Sequence, residues 1–242
     1  MRKPSEIAYE LLNLSQKEKE KYFVKILNKK FIVHPNIFSP KFFNDTELFV
    51  RYFPQIKKGT MLEIGTGIGA IAIFAVLKGR VKEVVATDIN QIAIKNAKEN
   101  VNRYGLKGKI RIIKSNLFEK FKKSKFDIIF FNAPFCFTKK KRLTVLEKAL
   151  FDYNYKTLSR FIHDCKNHIK NDGHVFLGFS SFFGDFNKLT KIANRYNRRI
   201  KIIKSVLIKN TILPTKETNA YCPASSASKK CFARITSRLK KV

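Results

Sequence analysis

Two short stretches of this chain hold residue types from which a reactive site can be built. Met61-Leu62-Glu63-Ile64-Gly65-Thr66-Gly67-Ile68-Gly69 places three glycines at alternate positions after an apolar run. Such a turn lets the backbone pass close to a ligand, with its amide groups free to bind it. Further along, Asn132-Ala133-Pro134-Phe135 follows the apolar run Phe126 to Phe131 with an amide side chain, a proline-fixed bend and an aromatic ring. The pair describes a cofactor pocket facing a small planar amine. An aromatic amine or an amide has a delocalised nitrogen lone pair and is a poor nucleophile. The Asn132 side-chain oxygen and the Ala133 carbonyl are two acceptors for its two N–H groups, an arrangement that favours a tetrahedral nitrogen. Phe135 is placed to stack on the planar group, as aromatic rings do on flipped or single-stranded bases. Pro134 biases Ala133 toward extended geometry.

The glycine turn by itself is ambiguous. Gly65-Thr66-Gly67-Ile68-Gly69-Ala70 also satisfies the loose dinucleotide fingerprint, and Asp88 after the next apolar run suits the ribose hydroxyls of either kind of cofactor. Two features tilt the balance away from a nicotinamide. Glu63 places a carboxylate inside a strand that otherwise wants to be apolar, where it needs a reason. The Asn-Ala-Pro-Phe segment has no role in hydride transfer.

The elements that must position these residues alternate. Residues 4–28 read as a helix with the stripe Ile7, Leu11, Leu12 and Leu14. A short strand, Phe31 to Val33, precedes a Pro-marked loop, and Asp45 caps a helix carrying Leu48, Phe49 and Phe53. From Thr60 the rhythm is strand 60–64, helix 68–77, strand 83–87, helix 90–103, then strands 110–114 and 126–131. A helix over 143–170, with a possible break, ends before Asn171-Asp172-Gly173, which turns the chain into a strand over 174–180. A helix over 188–196, β structure over 199–208, a small polar loop over 220–230 and a last strand near 231–239 complete the pattern. Strands separated by helices of this length imply an α/β fold with a mostly parallel sheet and ligands at the carboxyl ends of its strands.

Composition bounds the class. The 242 residues suffice for one substantial domain with a full core, and 44% hydrophobic content is that of a folded protein. The start of the chain does not resemble a secretory leader, and the longest apolar run contains Glu63 and three glycines, so no membrane span is expected. Four scattered cysteines and four scattered histidines show no metal spacing. A reduced, cytoplasmic protein without a bound metal is the expectation. Charge is the second clue: fifty Lys and Arg against eighteen acids make a formal net charge of +32. An AT-rich genome can enrich lysine, but it should not deplete acids from one end. Residues 191–242 hold fourteen Lys or Arg against one acid, Glu217, whereas residues 1–58 hold twelve against six. Such an excess attracts a polyanion, and RNA or a ribosomal particle is the expected partner. The run Lys139-Lys140-Lys141-Arg142, just after the Asn-Ala-Pro-Phe loop, is placed to hold phosphates beside the target.

Residues 31 to about 181 resemble the class I S-adenosylmethionine-dependent methyltransferases. More narrowly, they resemble the small-domain group with HemK-type glutamine methyltransferases and several RNA amino-group methyltransferases. Leu62 to Gly69 is similar to that family's first motif, and Ala86-Thr87-Asp88-Ile89-Asn90 to its second. Phe38-Ser39-Pro40 with Asp45-Thr46-Glu47 is similar to its opening segment, Ser115-Asn116-Leu117-Phe118 to its adenine-contacting segment, and Asn132 to Phe135 to its Asn-Pro-Pro-Tyr/Phe motif. The resemblance implies a Rossmann-like domain over 31–242 with a basic C-terminal segment, preceded by a small helical extension over 1–30. It implies S-adenosylmethionine as cofactor. Gly65, Thr66, Gly67 and Gly69 would wrap its methionine part, Glu63 would steady that turn or the ammonium group, and Thr46 would face the same end. Asp88 would bind the ribose, Ile89 would pack on the adenine, and Asn116 with Leu117 would meet the adenine edge. Asn116 departs from the family's usual Asp, and Ala133 from its first Pro. The implied activity is methylation of an exocyclic amino group of rRNA or tRNA. The close alternative is methylation of a glutamine amide in a translation release factor. Two readings stand further off: Cys136 as the nucleophile of cytosine carbon methylation, and a cofactor- or RNA-binding protein with a drifted loop.

Overall fold

A computed structural model describes residues 3–43, 45–53, 58–208 and 228–237. In chain order the elements are α1 (Pro4–Gln16), β1 (Tyr22–Ile26), β2 (Lys29–Val33), α2 (Asp45–Tyr52), β3 (Lys58–Ile64), α3 (Ala70–Leu77), β4 (Val81–Asp88) and α4 (Gln91–Arg103). There follow β5 (Ile110–Lys114), β6 (Phe126–Asn132), β7 (Cys136–Thr138), β8 (Phe151–Tyr153), α5 (Lys156–His168), β9 (Ile169–Ser180), α6 (Phe186–Arg195), β10 (Arg198–Ile208) and β11 (Ser228–Ser237).

Seven strands form the central sheet in the order β10-β11-β9-β6-β3-β4-β5. The five from β9 to β5 pair in parallel, while β11 runs antiparallel to both its neighbours. The sheet is therefore mostly parallel, as the alternation of elements requires. Side chains alternate between its faces. Met61, Ile128 and Phe130 enter one hydrophobic cluster with α3, α4 and the β1–β2 hairpin. Leu62, Ile64, Ile129 and Phe131 enter the other with α1 and α5. The chain leaves β3 toward β4 on one side and returns through β6 on the other, which opens a crevice at their carboxyl ends.

Three elements differ from the sequence expectation. The helix expected over 4–28 ends at Gln16, and residues 22–33 form an antiparallel hairpin. In β1, Val24 and Ile26 are buried while Phe23 and Lys25 face solvent, a period of two hidden beneath the run of lysines. This hairpin straddles residue 30 and packs into the same cluster as Ile68 and Val101. The helix expected over 143–170 is a short 3-10 turn, then β8, then α5. Asn154 and Tyr155, both at positive φ (50° and 53°), break the helix before α5. Finally, Asn171-Asp172-Gly173 lies within β9, where the pairing register jumps from Phe126↔Ile169 to Ile128↔His174, so it makes an irregularity of the strand and not a turn before it. The loop expected over 220–230 lies outside the described residues up to 227, and β11 begins at Ser228.

Candidate active site

The β3–α3 turn is built by its own hydrogen bonds. Gly65, Gly67 and Gly69 all have φ in the left-handed region (69°, 55° and 82°). Gly69 caps α3, and a Cβ there would meet the Ala97 Cβ at 3.3 Å, so the residue permits both the turn and close packing on α4. The Thr66 amide donates to the Thr87 carbonyl at 2.8 Å, tying the turn to the end of β4. Glu63 lies beneath, 1% exposed. Its Oε2 accepts from Thr66 Oγ1 at 2.8 Å and from the Ala72 amide at 3.1 Å, which leaves Oε1 for the cavity that Glu63 lines. Burial pushes this carboxyl up to about 8 against the pull of those two donors, and the Asp88 charge adds to the rise.

Above the turn is a cavity of about 510 Å3. Gly65 to Ile68, Asp88 and Ile89, Ser115 to Leu117, and Thr46 all line it. Asp88 accepts from the Gly67 amide at 3.0 Å and the Asn90 amide at 2.9 Å. Burial raises its pKa, opposed by these amides. Asn116 Nδ2 donates to Glu119 Oε1 at 2.8 Å, and Glu119 also receives Arg160 at 3.3 Å. The donor end of Asn116 is thus engaged, and its carbonyl oxygen is the end available to an amino group.

These groups fit the S-adenosylmethionine that the resemblance implies. A carboxylate suits the ribose diol, an oriented amide oxygen the adenine amino group, and a second carboxylate oxygen the ammonium or sulfonium charge. The glycine turn leaves room as well, since a Cβ at Gly67 would meet nothing within 4 Å.

At the end of β6, Asn132 and Pro134 line the same cavity. Among the described residues the buried Asn132 Oδ1 has no hydrogen-bond partner, a costly state for an acceptor. Gly178 on β9 makes this placement possible, because a Cβ there would come within 2.7 Å of Asn132 Oδ1 and 2.4 Å of the Phe49 ring. Ala133 is 1% exposed, with its amide on the Gly178 carbonyl at 3.4 Å. Phe135, expected to stack on the substrate, is 2% exposed and lies against Phe183 with ring centroids 5.8 Å apart. It packs under the loop and does not line the cavity. Cys136 is also buried, in β7, with its amide on the Leu150 carbonyl.

Of the basic run, Lys141 lines the cavity and Lys139, Lys140 and Arg142 do not. Lys140 is held by Glu147 at 2.7 Å. The outer lobe has residues that sequence reasoning did not assign to the site: Leu143, Val145, Lys148, Tyr153 and Lys156. Asp152, 2% exposed and also on the lining, accepts from the Thr157 and Leu158 amides at the start of α5. Tyr155 was missed as well. Its hydroxyl donates to the Phe135 carbonyl and accepts from the Asp185 amide, both at 2.8 Å, and so ties the loop to the start of α6. Phe151-Asp152-Tyr153 falls inside the helix expected over 143–170, where an acidic cap at a break in that helix was the one signal for Asp152; nothing local signalled the reach of Tyr155. Among the described residues no cluster of three His, Cys, Asp or Glu is placed to hold a metal, and no helix is long and apolar enough to cross a membrane.

The model of the methyltransferase small domain family matches residues 28–202. A protein of Methanocaldococcus jannaschii, provisionally named a protein N5-glutamine methyltransferase, is 32% identical over 173 residues, covering 70% of this chain and 85% of its own length. The bifunctional methyltransferase of Rickettsia prowazekii is 30% identical over 207 residues, and the match covers 73% of this chain but 39% of that protein. The ribosomal RNA small subunit methyltransferase C of Psychromonas ingrahamii is 28% identical over 151 residues, 62% of this chain and 35% of that one. In fold, the chain is similar to Methanocaldococcus jannaschii Trm5 solved in complex with adenosine, with a TM-score of 0.60, 17% identity, and coverage of 92% of this chain and 58% of that one.

Proposed function

As a member of the methyltransferase small domain family this chain is an S-adenosylmethionine-dependent methyltransferase, and we propose that it methylates a glutamine side-chain amide nitrogen in a protein of the translation machinery. One observation carries the nitrogen assignment: Asn132 lines the cavity, and its Oδ1, packed toward Gly178, has no hydrogen-bond partner among the described residues. Such an acceptor is satisfied by a hydrogen-bond donor, and a nitrogen carrying two N–H groups supplies one while its lone pair stays free for transfer. A primary amide has two N–H groups, one for the Asn132 side chain and one for a backbone carbonyl of the loop, of which Asn132 and Pro134 line the cavity. Holding both turns the lone pair out of conjugation and toward the cofactor end of the cavity. When bound, the cofactor supplies a sulfonium methyl group that needs no metal or strong base to activate it. Asp88 holds the ribose, Asn116 Oδ1 the adenine amino group, and Glu63 the turn and the positive methionine end. The protein's contribution is position and fixed dipoles, which supply most of the rate in such transfers.

The amide is favoured over a base because Phe135 packs beneath the loop and offers no stacking face to the cavity. The relative matched over 85% of its length also carries a glutamine methyltransferase name. The net charge of +32 favours a second reading, an exocyclic amino group of rRNA or tRNA. The test incubates the wild type and Asn132→Ala with methyl-labelled S-adenosylmethionine and a lysate from cells lacking the gene. Asn132-dependent label is expected in a protein of release-factor size. Asn132-dependent label in RNA would replace the amide reading with the second. Equal transfer by the variant, with both proteins stabilised alike by S-adenosylhomocysteine, would remove Asn132 from catalysis.

A further inference from the structure

The hairpin and the far end of α4 form a surface that methyl transfer does not use. Phe23 on β1 is 49% exposed. Lys30 Nζ lies 4.1 Å from its ring centroid and the Arg103 guanidinium 5.5 Å away. Lys29 sits beside Tyr104 in the same way at 5.4 Å, and the Tyr104 hydroxyl donates to the Lys30 carbonyl, so hairpin and helix end are one surface. Across the hairpin, Lys25 pairs directly with Lys30. Like charges facing each other across a ladder are destabilising, and a bridging anion removes that cost.

At the same end of α4, a groove of about 790 Å3 lies between that helix, β4–β5 and the starts of β3 and β6. Lys98, Lys107, Lys109, Arg111 and Lys125 line it, and Glu83 is the only acid among its described lining residues. The nearby Glu99 is engaged by Lys21 and His34. The first half of α4 borders the cavity and its second half borders this groove, so the two sites occupy opposite halves of a helix of 13 residues, about 20 Å long.

We propose that the β1–β2 hairpin and the groove at the same end of α4 together form a single-stranded RNA docking surface, distinct from the catalytic cavity, in which Phe23 takes a base and the groove cations take phosphates. An exposed ring among cations is how unpaired strands are held without sequence preference. A base arriving on the ring displaces one of the two flexible cationic side chains, which then falls beside the adjoining phosphate. A duplex offers no free base face and makes only the phosphate contacts. The surface serves either acceptor reading: it binds a strand while the cavity selects the nitrogen, and a protein acceptor is then met on an RNA-containing particle.

Fluorescence anisotropy of the full chain with a labelled single-stranded RNA, and with the same strand annealed to its complement, tests this. Phe23→Ala should weaken single-strand binding roughly tenfold and leave duplex binding nearly unchanged. Lys107→Gln/Lys109→Gln/Arg111→Gln should weaken both and lower the salt slope for the single strand by roughly 2. A control triple, Lys17→Gln/Lys166→Gln/Lys191→Gln, should have little effect. All variants should keep the wild-type rise in melting temperature with S-adenosylhomocysteine. Loss of binding as large in the control triple would overturn the proposal in favour of diffuse charge. Unchanged single-strand binding by Phe23→Ala, or a preference for polyglutamate over RNA, would overturn it as well.

Discussion

Glu63 does two jobs with two oxygens. Oε2 closes the glycine turn through Thr66 and Ala72, while Oε1 is left at the cavity wall. Because burial raises its carboxyl to about 8 from 4.5, the folded protein holds a proton that the unfolded chain releases. This group's stabilising effect is therefore complete below about pH 4.5 and is lost as pH rises through 8. The difference in melting temperature between wild type and Glu63→Gln is expected to move against the wild type as pH rises through that range, measured by calorimetry without ligand. Cofactor affinity should move the other way, strengthening toward pH 8 as the carboxylate forms beside a cationic ligand. Glu63→Gln should flatten that dependence in a titration monitored by calorimetry. Asn116 makes a complementary point: its bond to Glu119 engages the amide nitrogen and leaves the oxygen as acceptor, where the family usually has Asp.

At the scale of elements, the loop after β6 is held from two sides. From β9, Gly178 lets the strand approach Asn132 and the Phe49 ring so closely that any Cβ collides. Gly178→Ala is expected to destabilise the fold by about 1–3 kcal/mol through overpacking. It should also reduce kcat more than cofactor affinity, because Asn132 must move while the glycine turn stays. Denaturant unfolding and steady-state kinetics check the two parts. From the start of α5, the Tyr155 hydroxyl bridges the Phe135 carbonyl and the Asp185 amide. Tyr155→Phe leaves both of these without that partner, and a cost of about 1–3 kcal/mol is expected in the same unfolding measurement. Burial raises this hydroxyl's pKa, so it remains a donor across the working pH range.

Across the whole molecule the charge is divided. Glu63 and Asp88 line the cavity together with Lys141, Lys148 and Lys156, and a basic groove lies at the far end of α4. Cofactor binding involves few screened surface charges, whereas docking of a polyanion releases counterions. Raising salt from about 50 to about 200 mM should therefore lower kcat/KM for an RNA-borne acceptor by orders of magnitude while changing S-adenosylhomocysteine affinity little. Transfer assays and calorimetry on one preparation check both.

Much of the fold and half of the site are legible in the order of residues alone. A buried strand running into alternate glycines, a carboxylate ending the next strand, and an amide ending the fourth parallel strand are local patterns. Strand–turn–helix geometry needs those residue types at those places, and the β/α rhythm then brings the three strand ends together. The hairpin at residues 22–33 is not legible, because its period of two runs beneath charged residues that also suit a helix. The inward packing of Phe135, the reach of Tyr155 and the space reserved at Gly178 depend on residues far apart in sequence meeting across the sheet. Residue type and spacing thus determined the class of fold and cofactor, and that a glycine turn, a carboxylate and an amide stand at neighbouring strand ends. Only tertiary structure decided which groups hold the loop, which ring is withheld from the cavity and which cations are left facing solvent, because those outcomes depend on packing between elements that no local pattern encodes.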